Sequence, residues 1–283
     1  MIVPGSASQA LAAALAEETG RPLATPEFDR FADGELCAAV PDFSGDGAVV
    51  VAATDSTDAF VELLQLQDAV REAGADEVTT VLPYMGYARQ DRAFEPGEPV
   101  SARAVARAVS TGTDRVVLVT PHEPDVAEFF DVPVDVLDAS ALLAEPLPAG
   151  LTDPLFLAPD ASAERFATAV RDAYGGGETD FFEKERDYDT GEVTVTPSDA
   201  GVAGRDVVIV DDIVATGSTM SEAVAALHER DPAAVYAACV HGMLAGSART
   251  RLAAAGVREV VATDTLERAE SAVSVAPLVA DAL

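Results

Sequence analysis

Short β-branched runs alternate with amphipathic helical patterns along the whole chain, and this alternation limits the fold more than any other feature. MIV at residues 1–3 precedes a helical pattern from Ser6, and AVVVAAT at 48–54 precedes DAFVELLQLQDAVREAG. VTTVLPY, SARAVARAVSTG and RVVLVT continue the series. Apolar strands separated by amphipathic helices predict an α/β fold, a mostly parallel sheet flanked by helices. The stretch PEFDRFADGELCAAVPDFSGDG interrupts the rhythm, and Asp33-Gly34 between two β-prone pieces predicts a projecting hairpin. After the Pro- and Ala-rich segment SALLAEPLPAGLTDP a second round begins with LFLAPD and runs through DFFEKER, EVTVTP, DVVIVDD, SEAVAALHERD and AVYAACVHGM to REVVATDT. A chain of 283 residues with two such rounds is expected to form two tandem domains, residues 1–143 and 144–283, of one rhythm but without residue-level repetition.

Charge narrows the choice of partners. With 18 Lys plus Arg against 49 Asp plus Glu, the formal net charge is −31. Duplex DNA, structured RNA and anionic membranes all need a positive footprint, so no nucleic acid and no membrane is expected to bind. The acids are spread from Glu17 to Asp281 among apolar segments, which excludes a disordered acidic tract. Seventeen of the cations are Arg and one is Lys184. Lysine depletion with abundant Asp, Glu and Ala resembles the halophilic composition of proteins that work in molar salt, where self-repulsion is screened within a few ångströms. Cys37 and Cys239 form neither a disulfide framework nor a metal spacing. MIVPGSASQALAAALAEETG has no basic n-region, and no apolar run reaches about 18 residues. A cytoplasmic protein is expected.

The sharpest chemical motif is DVVIVDDIVATGSTMSEAV, residues 206–224, in which a buried-type strand runs into two carboxylates and a small-residue loop that opens a helix. Thr216, Gly217, Ser218 and Thr219 can offer N–H groups and hydroxyls to a phosphate at the positive end of that helix. Asp211 and Asp212 suit vicinal sugar hydroxyls or a magnesium-bound diphosphate. The bland alternative is a helix cap after a buried strand, with the aspartates as turn residues. In the first half, VLPYMGYARQDR places Arg89 and Arg92, scarce cations, in a loop after a strand, as fits an anionic partner. Lys184 and Arg186 lie two apart in FEKER, so on an extended segment they face one side and Glu183 and Glu185 the other.

VDDIVATGST resembles the 5-phosphoribosyl 1-diphosphate (PRPP) motif shared by type I phosphoribosyltransferases and ribose-phosphate pyrophosphokinases. PYMGYARQDR, the FADGE hairpin, PHEPDVAEFFDVP, PDASAERFA and FFEKER are similar, in order, to elements of the pyrophosphokinases, from about Gly5 to Thr265. That resemblance implies two phosphoribosyltransferase-like (type I) domains, the first binding ATP and the second ribose 5-phosphate. It implies transfer of the β,γ-diphosphoryl group of ATP to the anomeric hydroxyl, giving PRPP and AMP for nucleotide biosynthesis, with Mg2+ as cofactor. Lys184 and Arg186 would stabilise the transition state, Arg186 also binding substrate. His122 and Asp160 would hold magnesium. ATP would meet Arg89, Gln90 and Asp91 of one subunit and Phe31, Asp33, Gly34 and Glu35 of a neighbour's hairpin, making the enzyme a homo-oligomer with a shared site. Asp211 and Asp212 would grip the ribose hydroxyls and Ala215, Thr216, Gly217, Ser218 and Thr219 the 5-phosphate. The polar loop DYDTGEV after Arg186 is expected to close over the reaction.

Ala215 departs from the commonly acidic residue of bacterial relatives, and Ala161-Ser162-Ala163 replaces a Gly-rich stretch. Two other readings stay open: a non-catalytic regulatory homologue, which would have lost Lys184, His122 or Arg89, and a type I phosphoribosyltransferase, which would lack ARQDR and the Lys-x-Arg element. His228 and His241 carry no assigned role.

Overall fold

The computed structural model describes residues 1–186, 193–197 and 201–283, and the side chains of 183–200 are outside the description. DYDTGEV up to Glu192 therefore lies outside the described residues, as do the side chains of Lys184 and Arg186. The chain divides into two compact units, residues 1–138 with 264–267 and 274–283, and residues 139–263 with 268–273.

The first unit is built on strands β1 (Ile2–Pro4), β2 (Glu27–Arg30), β3 (Leu36–Ala39), β4 (Gly47–Val51), β5 (Glu77–Leu82), β6 (Arg115–Val119) and β7 (Val134–Leu137), with helices α1 (Gln9–Thr19), α2 (Thr57–Glu72) and α3 (Ser101–Ser110). Its main sheet has the order β1-β4-β5-β6-β7, every pair parallel. Helix α2 turns Leu63, Leu66 and Val70 into the core against Val50 and Leu82. These three side chains are fully buried, each stabilising the unit by on the order of 2 kcal/mol. The expected hairpin is present as antiparallel β2 and β3 in register Arg30↔Leu36. Its tip is closed by the Phe31 N–H donating to the Glu35 carbonyl at 2.9 Å.

The second unit holds β8 (Leu155–Ala158), β9 (Glu178–Arg186), β10 (Val193–Pro197), β11 (Asp206–Ile213), β12 (Ala234–His241), β13 (Glu259–Thr263) and β14 (Ser271–Val273), with α4 (Glu164–Tyr174), α5 (Ser218–His228) and α6 (Ala248–Ala255). The sheet order is β10-β9-β8-β11-β12-β13-β14, parallel except for the β9–β10 pair. Leu155, Leu157, Val207 and Ile209 pack with Val224, Leu227 and Leu252 into its core. Both halves are thus mostly parallel sheets flanked by helices, as the alternation predicts.

Two features differ from the linear reading. Helix α1 begins at Gln9, later than expected, because the Ser8 hydroxyl accepts the buried Ala53 N–H at 2.9 Å instead of capping the helix. Glu267 supplies the missing cap, accepting the N–H groups of Ala10 and Leu11 at 2.6 and 3.0 Å. The chain's last helix, α7 (Ala276–Ala280), also belongs to the first unit, where Arg115 donates to the Ala282 carbonyl at 2.8 Å.

Candidate functional site

In a parallel sheet all the strands end at one edge, and a ligand crevice opens where successive strands are added on opposite sides. In the second unit β9 lies on one side of β8 and β11 on the other, so the loops after β8 and β11 part above the sheet. Asp160 follows β8, and Asp211 and Asp212 end β11. All three therefore belong to the rim of this crevice. The Asp160 carboxylate accepts the N–H groups of Ser162 and Ala163 at 3.1 and 3.3 Å, which fixes its rotamer. Burial pushes the Asp211 carboxyl well above its ordinary range, and the negative charges of Asp212 and, more weakly, Asp160 raise it further.

The loop between β11 and α5 has its carbonyls turned to the protein. Those of Val214 and Ala215 accept the N–H groups of Leu244 and Ala245, each at 2.9 Å. Arg251 donates to the Thr216 carbonyl at 3.4 Å. Gly217, the residue before α5, has φ +70°, a left-handed conformation that glycine adopts without strain, and an added Cβ would lie 3.3 Å from Leu252 Cγ. No side chain among the described residues caps α5, in contrast to α2, where Ser56 accepts the Ala59 N–H at 3.1 Å. With carbonyls engaged behind it, a glycine at its bend and an uncapped helix after it, the loop offers N–H groups and the hydroxyls of Thr216 and Ser218, 3.1 Å apart. Such a donor set can take a phosphate monoester.

Lys184 and Arg186 are carried by β9 beyond its last pairing with β8, Ala158↔Phe181, and pair only with β10 in register Lys184↔Val195 and Arg186↔Val193. The ribbon extends past the strand end from which Asp160 follows.

In the first unit the expected ATP-site residues come in two groups. Phe31, Asp33, Gly34 and Glu35 form the hairpin tip, all exposed, Phe31 to 59%. The loop after β5 carries Arg89, Gln90 and Asp91. It is anchored where Gly86 passes Thr54: the Gly86 N–H donates to Thr54 Oγ1 at 2.8 Å, and a Cβ there would sit 2.1 Å from the Thr54 carbonyl oxygen. Only glycine fits this approach. Gln90 accepts the Ser101 hydroxyl at the start of α3. Hairpin and loop both reach the first turn of α2, through the Arg30–Asp58 ion pair and a 3.2 Å contact between Tyr87 and Thr57 hydroxyls. Arg89 is exposed and forms no ion pair among the described residues, while Arg92 lies 5.2 Å over the Phe94 ring. A cavity of about 290 Å³ at the hairpin base is lined by Asp29, Asp55, Asp58 and Glu62 against Arg30 alone. That balance repels a polyphosphate, so Arg89 and Arg92 mark a better anion surface.

His122 is half-buried after β6. It lies in the first unit and Asp160 in the second, and no three His, Cys, Asp or Glu among the described residues converge as a metal cage. The Asp160 carboxylate fits magnesium, which is usually held by one or two carboxylates together with substrate phosphates, and the crowded acids beside it gain from a cation; His122 offers a nitrogen, an unusual donor for so hard a cation. His241 is buried, its carbonyl accepting from Val214 and Met243 at 3.1 and 3.0 Å, so its backbone shapes the loop. His228 fills the space beside Gly256. The segment LAGSARTRL, residues 244–252, backs the phosphate loop and was not marked by the sequence motifs. Its two arginines in so acidic a chain were the available signal.

Family models match both halves: one described as the N-terminal domain of ribose phosphate pyrophosphokinase covers residues 1–112, and one described as a phosphoribosyl transferase domain covers 136–276. A ribose-phosphate pyrophosphokinase of Halobacterium salinarum is 61% identical over 284 residues, with 100% of both chains covered. One of Methanosarcina mazei is 43% identical, covering 100% of this chain and 94% of its own. The crystal structure of phosphoribosylpyrophosphate synthetase from Mycobacterium smegmatis matches with a TM-score of 0.85 at 31% identity, covering 100% of this chain and 96% of that one. No described helix is long and apolar enough to cross a membrane.

Proposed function

Because this chain belongs to the ribose-phosphate pyrophosphokinase family and is an enzyme of that class, we propose that it transfers the β,γ-diphosphoryl group of ATP to the C1 hydroxyl of ribose 5-phosphate, giving PRPP and AMP. The observation that carries this reading is the β8–β11 crevice, where a phosphate loop with engaged carbonyls adjoins the Asp211–Asp212 pair. The 5-phosphate sits on residues 215–219, and the two carboxylates accept the ribose 2- and 3-hydroxyls, leaving C1 toward the β9–β10 ribbon. The C1 oxygen attacks the β-phosphorus, its proton leaves to solvent or a neighbouring base, and the bond to the α-phosphate oxygen breaks.

Charge grows on the bridging oxygens, so positioning and cations do most of the work. Lys184 and Arg186 supply those cations. Magnesium, when bound with ATP, would spread the charge of the transferred phosphates; His122 would hold the magnesium of ATP and Asp160 a second magnesium or its water shell. Arg89, Gln90 and Asp91 receive the nucleotide, with Phe31, Asp33, Gly34 and Glu35 of a second copy closing over the base. The acidic surface suits a salt-rich cytoplasm. The test is purified protein with ATP, ribose 5-phosphate and magnesium across 0.1–4 M KCl, scored for AMP and PRPP. Both products are expected at high salt; absence of AMP throughout rejects the reading, and activity only with PRPP and a nucleobase would make the chain a phosphoribosyltransferase.

A further inference from the structure

The two arginines of α6 stand in different electrostatic situations. Arg249 is held by Glu270 at 2.6 and 2.8 Å, and this guanidinium keeps the Glu270 carboxyl below its ordinary range. Arg251, half a turn further on, makes no ion pair among the described residues and donates to two neutral groups of the phosphate loop, Ser218 Oγ and the Thr216 carbonyl. In a chain with 18 cations against 49 acids, a guanidinium without a carboxylate partner leaves its charge for another anion.

The contact with Ser218 sets a direction. A hydroxyl has one proton and two lone pairs. Arg251 has no acceptor, so its N–H occupies a lone pair of Ser218 and the Ser218 proton is left to point elsewhere. Thr216, 3.1 Å away, is the neighbouring hydroxyl of the same loop. Helix α6 is itself fixed against the loop, since Ala248 and Leu252 lie within van der Waals contact of a Cβ at Gly217.

We propose that Arg251 is the positioning residue of the sugar-phosphate subsite: it holds the Ser218 hydroxyl as a donor toward the 5-phosphate and places a positive charge behind the loop. This rests on the ribose 5-phosphate reading above and adds a residue to it. A phosphate without that charge and that oriented donor loses charge-assisted hydrogen bonding, which sets the expected penalty at about tenfold to a hundredfold in affinity. Molar salt weakens the through-space part of the effect, since the Debye length is about 3 Å at 1 M, but leaves the hydrogen bond that orients the Ser218 hydroxyl in place.

The experiment uses the full chain with Arg251→Gln, Arg251→Ala and Arg251→Lys in high KCl. Gln keeps an N–H donor without charge, Ala removes both, and Lys keeps the charge. Gln and Ala are expected to raise the KM for ribose 5-phosphate by about tenfold to a hundredfold, with kcat within about threefold and the KM for ATP unchanged. Lys should recover most of the loss. Unchanged ribose 5-phosphate KM in both Gln and Ala overturns the proposal. So does a parallel loss toward both substrates with a lowered Tm, since that is the mark of a merely structural arginine. The Tm rise induced by ribose 5-phosphate, expected in wild type and lost in Arg251→Gln, needs no turnover; it decides the role of Arg251 even if the wild type forms no AMP, a result that would count against the reaction instead.

Discussion

The two units use one architecture to different ends. In the first, the main sheet follows chain order from β1 through β4, β5 and β6 to β7, so each strand is added on the same side. In the second, the order turns back at β8, and the loops after β8 and β11 part into a crevice. On the proposed reading the second unit builds most of a small-anion site from its own loops: engaged carbonyls, an uncapped helix, an acid pair and Arg251. The first presents its candidate groups on exposed tips, Phe31 on a hairpin and Arg89 on a loop. On the same proposed reading a second copy of the chain finishes the nucleotide site that these tips begin.

The largest effect expected belongs to the ribbon of the second unit. Lys184→Ala should lower kcat by about 10³-fold, the scale of removing a preorganised donor from a charge-developing transition state. Its Tm should stay within a degree or two, because β9 pairs through its backbone at this position. A variant that keeps more than about a tenth of the wild-type rate would remove Lys184 from the chemistry.

The contrast between units predicts a different pattern for the first. Phe31→Ala and Arg89→Ala should each raise the KM for ATP by about ten- to a hundredfold, with little effect on ribose 5-phosphate. If the tips belong to different copies, co-expressing the two variants should restore about a quarter of the sites, since random pairing leaves that share with both native residues. Activity no higher than the mean of the two parents would place both groups in one chain's site and dissolve the contrast.

The glycines of the two loops test how each is held. Gly86→Ala would drive a Cβ into the Thr54 backbone carbonyl and should cost about 3 kcal/mol or more of stability. Gly217→Ala meets Leu252 Cγ at 3.3 Å, a side chain that can give by a few tenths of an ångström, but keeps φ at +70°, so it should cost about 1–2 kcal/mol. Its larger effect should be on the KM for ribose 5-phosphate. Calorimetry and kinetics that ranked the two the other way would reverse the assignment of a rigid anchor to the first loop and a ligand-shaped bend to the second.

Much of this was legible in the residues. Periodicity marks strands and helices because burial imposes it, and Asp33-Gly34 and the DDIVATGST run mark a hairpin and a phosphate loop through their own local chemistry. Strand order is another matter. AVVVAA, LFLA and DVVIV are all buried apolar runs, so nothing local in them says which lies beside which, and the reversal at β8 appears only in three dimensions. The same holds for Glu267 capping α1 from far along the chain, and for Arg251. Each acts across a distance in sequence that no motif spans.

The smallest effect follows from the crowded acids of the second unit. Burial, with Asp212 and Asp160 adding to it, raises the Asp211 carboxyl above its ordinary range. A carboxyl raised on folding favours the native state when protonated and opposes it when ionised, so its cost is greatest above the folded pKa and fades as pH falls through it. Asp211→Asn removes the charge and keeps the shape. It should raise the Tm of the ligand-free protein by about 2–4 °C at pH 7, while impairing ribose 5-phosphate binding. The advantage over wild type should shrink as pH falls through the raised folded value of Asp211 toward the ordinary carboxylate range, because Asp211 takes up its proton along the way. An advantage that stayed constant with pH would assign the gain to packing, and the crevice would then not be a place where stability is spent on holding charge for a ligand.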